Sequence, residues 1–519
     1  MGMLSLWLRE MAVFRPLCRI TLTKRIFIRT YSSSNKNKKG VVLGAFVDEN
    51  NNVKLTKTAK GFDESIKGVL LENLKISGLK KGSSRLFYKL SPDFDVVAVV
   101  GIGKEDAGYN PSEDIDERKQ NIRTAAAVGC KSLQELEVST LCLESLTDAA
   151  AAAEGAALGL WLYQEFKNTK KRKKIPEING YEVEDKEDWD SAMITANAQN
   201  LVRHLAETPS NHLTPTAFAN VAEKELTEHG VEVCSYDQSW AKNKKMGAFL
   251  AVSQGSKEPL RFVEMKYLNG NKEDKPFVLV GKGVTFDTGG ISIKPAAGME
   301  EMRADMSGAA CVLGTMKAVS QLGLKINLIG LTPLCENMPS GSAIKPGDIV
   351  QAMNGKYIQI DNTDAEGRLI LADALCYASS LSPKLTVDIA TLTGAMRIAL
   401  GGVFSGVFST STPMWEELRK AGSVTGDRVW RFPLANAYST SLVEHTGVDL
   451  INIGKGGGGA CTAAAFLKEF APKGDWMHLD IAGVMGSDQK LMGIPYLSGG
   501  MSGRPTRTLV QFLTQIACK

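Results

Sequence analysis

The chain has 519 residues, 44% of them hydrophobic and 23% charged, with a formal net charge of +4. That length exceeds one ordinary core and implies two or three domains. No uninterrupted apolar run reaches the roughly 18 residues of a spanning helix, which argues against a membrane partner.

The first 39 residues stand apart. They carry nine basic residues against one acid, Glu10, with apolar residues between the charges and a hydroxyl-rich close, "RTYSSSNKNKKG". A basic, acid-poor, serine-bearing start suits a mitochondrial transit peptide. Arg15, Arg19, Lys24, Arg25 and Arg29 break up the apolar core that a secretory signal needs. A basic tail on a cytosolic protein is the other open reading, so the expected location is the cytoplasm or the mitochondrial matrix. Taking the segment's +8 from the total leaves about −4 for the remainder, by counting ionised groups. A mildly acidic body offers no general surface for nucleic acid.

From Gly40 to about Gly180, short apolar strands alternate with helical stretches. Strands are expected at 40–47, 84–90 and 95–103, helices at 117–130 and 148–166. The last is the alanine-rich "DAAAAAEGAALGLWLYQEF", interrupted by Glu154. Such alternation favours an α/β layer. The lysine-rich stretch 167–190 breaks the periodicity and reads as a solvated loop. A boundary follows it, giving an N-terminal α/β domain (40–187), a linker helix (188–207) and a larger C-terminal domain (208–519). In that second α/β unit, buried strands are expected at 277–283, 326–334, 357–360, 385–392 and 477–483. Helices are expected from Ser307 to Leu322 and from Arg368 to Ser380.

The nine cysteines are scattered and never form CxxC, and the five histidines include no HExxH. Thiols used as small core residues indicate a reducing compartment. Any metal must therefore be held mainly by carboxylates. In open α/β sheets reactive groups gather at the carboxyl ends of strands, and three unusual segments fall at such ends or at helix starts. "GKGVTFDTGGISIK" carries Lys282, Asp287 and Lys294; "MRADMSGAA" carries Asp305; "DNTDAEGR" carries Asp361, Asp364, Glu366 and Arg368. Each alone has a plain explanation as a helix cap, a surface lysine or a solvated turn. Acids this dense repel one another unless positive charge sits among them.

With "NTDAEGRL" (362–369), "GKGVTFDTGG", "KP" (294–295) and "MRADMSGAA", the sequence closely resembles the leucine aminopeptidase, or cytosol aminopeptidase, family of metallopeptidases. The likeness extends through "ETPSNHLTP", "PLCENMPSG", "ATLTGA" and "GRPTRTL". The resemblance implies an aminopeptidase with two α/β domains, the C-terminal one catalytic and built on a mixed sheet flanked by helices. It implies two zinc ions, with Mn²⁺ or Mg²⁺ also acceptable to an oxygen-rich site. Asp287 and Glu366 would bridge them, Lys282 and Asp305 would complete one site, and Asp364 the other. Lys282 would bind as a neutral amine, a state that arginine does not reach in proteins.

By the same resemblance Lys294 would stabilise the oxyanion, and Arg368 would hold a bicarbonate ion acting as general base. Met302, Thr391, Gly394, Ala482 and Met485 would line the pocket for the first residue, suited to leucine-like side chains. Asp361 would be a neighbour of the ligands or a loop cap. The implied assembly is a homohexamer acting on peptides with a free N-terminus. The competing reading, a non-catalytic structural hexamer of the same fold, should show lost ligands, and all seven polar site positions are present. The segment "NIGKGGGGACTAAAFLKEF" (452–470) departs from the family in its run of four glycines.

Overall fold

Strands covered on both faces read as continuous apolar runs, and alternate residues of such a strand serve opposite faces. Lys39–Val47 and Val96–Gly103 are of this kind. The computed structural model describes residues 38–443, 447–486 and 493–517. The first 37 residues of the basic extension lie outside that range, as do Cys18, His445 and Cys518.

In the N-terminal half Lys39–Val47 pairs in parallel with Val96–Gly103 on one side and Thr140–Leu143 on the other. Ser84–Tyr88 closes one edge antiparallel, and Glu177–Gly180 closes the other in parallel. Val42, Val96 and Val100 pack against the helices Glu117–Glu135 and Ala149–Leu160. Val41, Val97 and Val99 face Phe62, Leu70 and Leu74 of two short helices on the opposite side.

Two expectations need correction here. The alanine-rich helix ends at Leu160, not at 166: Trp161 turns extended and lies 4.0 Å from the Arg203 guanidinium. The lysine-rich stretch is not all loop, because Glu177–Gly180 is an edge strand. Of its four residues only Ile178 is even half-buried, so no apolar alternation announces it.

Glu154, the acid inside the alanine-rich helix, ties the two halves together. It accepts from Arg123 Nε at 2.5 Å and from Arg507 Nη1 at 2.9 Å, near the far end of the chain. Burial opposes its charge, but Arg123 and Arg507 hold its carboxyl below the ordinary range. Breaking a buried pair of this sort from one side costs about 3–5 kcal/mol. The connecting helix runs from Lys186 to Glu207, and its fully buried Arg203 donates to the carbonyls of Leu158, Ser498 and Met501.

The C-terminal half holds a nine-stranded mixed sheet. Its centre is parallel: Phe277–Gly281 lies between Asn327–Asn337 and Leu385–Ala390, and Asp475–Asp480 follows. Arg261–Leu268 and Ser405–Ser409 extend it antiparallel on the two sides. Helix Ser307–Gln321 packs on one face with the helix Thr506–Ala517, and Gly367–Ser379 packs on the other. Because the central strands are parallel, their carboxyl ends share one rim. The expected strand at 357–360 is not part of this sheet. Tyr357–Gln359 belongs to a separate three-stranded sheet with Ile349–Gln351 and Leu450–Ile451. No helix among the described residues is long and apolar enough to cross a membrane.

Candidate metal centre and substrate cavity

The rim collects the polar residues singled out in the sequence. Lys282 follows the strand Phe277–Gly281 and is buried. Its Nζ lies 2.8 Å from Asp305 Oδ2 and 2.8 Å from Glu366 Oε1, and donates to the Thr391 carbonyl at 3.1 Å. Gly367 makes that path available, since a Cβ there would stand 2.6 Å from Lys282 Cε. The glycine of "AEGR" is thus a packing requirement of the lysine.

Asp287 ends the next strand, Gly283–Asp287. Its Oδ1 accepts from the Gly289 amide and from Asn337 Nδ2, each at 2.8 Å, while Oδ2 lies 2.8 Å from Lys294 Nζ. Gly289 sits at φ +85°, where a side chain would be strained and a Cβ would press on Asp364. Lys294 also pairs with Asp364. Asp305 follows the short 3-10 turn Met299–Ala304, and its Oδ1 accepts from the Thr391 hydroxyl at 2.7 Å.

One carboxylate oxygen from each of Asp287, Asp364 and Glu366 can be chosen so that all three lie within 4.8 Å of one another. Asp305 lies outside that triplet and meets Glu366 through Lys282. Four acids facing two ammoniums leave a net −2 if all are ionised. The strain of this crowding is visible. Burial and the neighbouring Asp287 push Glu366 up to about 8. Burial pushes Asp305 up to about 6 against the pull of Lys282. Asp364 is also raised, by burial and by Asp287. For Lys282 burial works against the charge, but Asp305, Glu366 and Asp287 outweigh it and hold the ammonium well above the ordinary lysine value.

The oxygens Asp305 Oδ2, Asp364 Oδ1 and Glu366 Oε1 are buried without a hydrogen bond. Each stands at ion-pair distance from a lysine nitrogen, Asp305 and Glu366 from Lys282 and Asp364 from Lys294. Buried carboxylate oxygens set among like charges, with cations as their neighbours, are the donor set that a hard divalent cation accepts. The residues therefore fit a metal centre.

A cavity of about 240 Å³ opens beside the cluster. Lys282, Asp287, Lys294, Asp305 and Asp364 line its polar end, and Met302, Thr391, Gly394, Ala482 and Met485 all line its remainder. Met501, Leu392 and Arg397 line it too and had no signal in the sequence beyond their neighbours. Glu366 and Arg368 are buried and are not among the lining residues. Arg368 donates from Nη1 to the Asn452 carbonyl at 2.7 Å, while its Nε is buried without a partner. Burial lowers its pKa to about 10, against the pull of Glu366 and Asp480.

Asp361 is exposed and accepts from Gln359 Nε2 at 2.7 Å, so its side chain touches no other acid of the cluster. The glycine run 456–459 leads into the helix Gly459–Lys468 with three successive residues at positive φ and does not line the cavity. Thr288 donates to the Asn337 carbonyl at 2.8 Å, locking the Asp287 turn to the neighbouring strand. The histidines are scattered. His478, fully buried, lies 2.5 Å from Asp388 and stacks near Trp476.

The catalytic-domain profile of the cytosol aminopeptidase family matches residues 200–510, and the profile of the family's N-terminal domain matches residues 42–170. The chain belongs to the cytosol aminopeptidase family. Cytosol aminopeptidase of Xenopus tropicalis is 48% identical over 98% of this chain and 99% of its own length. The protein of that name from Bos taurus is 50% identical over 97% of each chain, and the one from Homo sapiens 48% over 98% of each. Among solved structures, the bottromycin maturation enzyme BotP superposes with a TM-score of 0.78. It has 30% identity, covering 93% of this chain and all of its own. A structure of that enzyme in complex with Mn matches equally well. The chain is accordingly a metal-dependent aminopeptidase, a hydrolase acting on peptides.

Proposed function

We propose that the enzyme removes leucine-like and other apolar residues from peptide N-termini with two divalent ions held at the rim cluster. Asp287 and Glu366 would bridge the ions, Lys282 and Asp305 would complete one site, and Asp364 the other. The observation that carries this reading is the triplet of carboxylates within 4.8 Å, two of which, Asp287 and Asp364, line a cavity shared with Met302 and Met485. When bound, the ions would supply Lewis acidity toward the scissile carbonyl and lower the pKa of water.

The protein's own residues do the rest. Met302 and Met485 offer apolar, adaptable walls for the first side chain. Lys294 reaches the same polar end on a loop anchored by the Lys294 amide to the Thr288 carbonyl at 2.9 Å. Its ammonium would take the developing oxyanion. Arg368 would hold a bicarbonate ion as base, and the unpartnered Nε supports a guanidinium with capacity left for an anion. Oxygen-rich donors select weakly among Zn²⁺, Mn²⁺ and Mg²⁺, and the solved BotP complex contains Mn.

Hydrolysis of a leucine anilide by the purified chain tests this function. Activity should vanish on chelation and return with Zn²⁺ or Mn²⁺; turnover surviving complete metal removal would sink the proposal. We also infer a homohexamer, located in the cytosol or the mitochondrial matrix. The relatives are named cytosol aminopeptidases, while the basic, acid-poor extension suits import. Sedimentation mass and the N-terminal residue of the protein isolated from cells check these two points. A monomer, or an intact residue 1 in a matrix fraction, would refute the corresponding part.

A further inference from the structure

The segment 361–368 carries two of the proposed ligands and the arginine, and its first six residues have no regular secondary structure to hold them. Its order has to come from elsewhere. Much of it comes from one side chain, Asn452, which is fully buried and lies far away in sequence. Asn452 follows the two-residue strand Leu450–Ile451, which pairs in parallel with Tyr357–Gln359, and its amide donates to the Gln359 carbonyl at 2.9 Å.

From there its side chain spans the loop. Oδ1 accepts from the amides of Asp361 at 2.8 Å and Asn362 at 3.2 Å. Nδ2 donates to the Asn362 carbonyl at 2.7 Å and makes a longer contact with the Ala365 carbonyl at 3.5 Å. Two donor hydrogens and two acceptor sites are the full capacity of an asparagine amide, and all four face this one loop. The Asn452 carbonyl adds the bond to Arg368 Nη1 at 2.7 Å. Backbone points on both sides of Asp364 and beside Glu366 are thus fixed to a single residue.

We propose that Asn452 is the positioning residue of this loop: its amide holds Asp364 and Glu366 at the spacing that metal binding requires. It does not line the cavity. The inference rests on the reading of Asp364 and Glu366 as ligands. Partners that orient metal ligands typically contribute about 10–100-fold to affinity, and a ligand loop without its clamp has to be ordered at the expense of binding.

The test measures Mn²⁺ affinity of the metal-free full-length chain by competition with a fluorescent chelator, with circular dichroism confirming the fold. Asn452→Ala should weaken Mn²⁺ binding by about 10–100-fold. Asn327→Ala is the matched control. Asn327 is also buried, accepts from the Gly270 amide and donates to the carbonyls of Asn271 and Asp274, with none of its bonds at the rim. It should leave affinity within twofold of the parent protein. If Asn452→Ala does not fold, Asn452→Ser, which keeps one hydrogen-bonding group, carries the same comparison. Affinity unchanged in the folded Asn452 variant, with Asp364→Ala strongly weakened, overturns the positioning role and leaves the ligand assignment standing. Affinity unchanged in Asp364→Ala as well overturns the ligand assignment itself.

Discussion

Asp287→Ala is expected to abolish measurable aminopeptidase turnover, lowering kcat/KM by on the order of 10³-fold or more, as follows if several kcal/mol of metal-derived stabilisation is lost. Asp287 is the natural residue to choose because its two oxygens are already divided. Oδ1 is committed to the Gly289 amide and Asn337 Nδ2, which fixes the carboxylate plane. Oδ2 faces the cluster and meets only Lys294. Removing it deletes a proposed bridge between both ions, so metal content should fall together with activity. The metal-free fold should tolerate the change. Asp287 is a buried like charge that pushes Glu366 and Asp364 upward, and its loss relieves repulsion as well as removing two hydrogen bonds. The checks are metal stoichiometry by elemental analysis, thermal midpoint of the apo protein and turnover of a leucine anilide. Full activity in a metal-replete Asp287→Ala protein would rule out the bridging role.

Why some of this was legible in the sequence and some not is a matter of distance along the chain. Phe277–Gly281 is apolar on both faces, and burial on both faces leaves that mark. Leu385–Ala390 and Asp475–Asp480 show it on one face, their other faces holding the buried Asp388, His478 and Asp480. Arg261–Leu268 escaped because Arg261, Glu264 and Lys266 interrupt it. Glu264 is nevertheless buried, satisfied by the hydroxyls of Tyr236 and Tyr377 and by Lys266, partners that only the fold brings together. Ser405–Ser409 escaped because glycine and serine carry no strand signal.

At the site, Lys282, Asp287, Asp305, Asp364 and Glu366 stood out as local clusters of charge beside glycine. Parallel strand order then placed most of them at one rim. The loop 361–368 arrives from the small sheet and not from the large one, a placement that the run 357–360 could not disclose. Asn452 is an uncharged residue some 90 positions from its partners, in a stretch whose glycines drew attention instead.

Lys294 carries the second large effect. Lys294→Ala is expected to lower kcat by about 10²–10³-fold, the usual loss for one oxyanion donor, with KM little changed and metal content retained. The distinction from Asp287 follows from position. Lys294 lines the cavity and is only partly buried, its ammonium held by Asp287 and Asp364. It is a cation beside the acids and contributes no ligand oxygen. In the metal-free protein burial works against its charge, but Asp287, Glu366 and Asp305 keep its pKa above the ordinary lysine value. A fixed positive charge at the polar end of the cavity stabilises a developing anion more than a neutral carbonyl, which places the effect in kcat and not in ground-state binding. Removing that charge should also leave the carboxylates no less able to bind cations, because it removes a competitor for their oxygens. Steady-state kinetics with a leucine anilide, alongside metal analysis of the same preparation, separates the possibilities. An unchanged kcat would exclude the oxyanion role, and loss of metal equal to that of Asp287→Ala would recast Lys294 as a structural element of the centre.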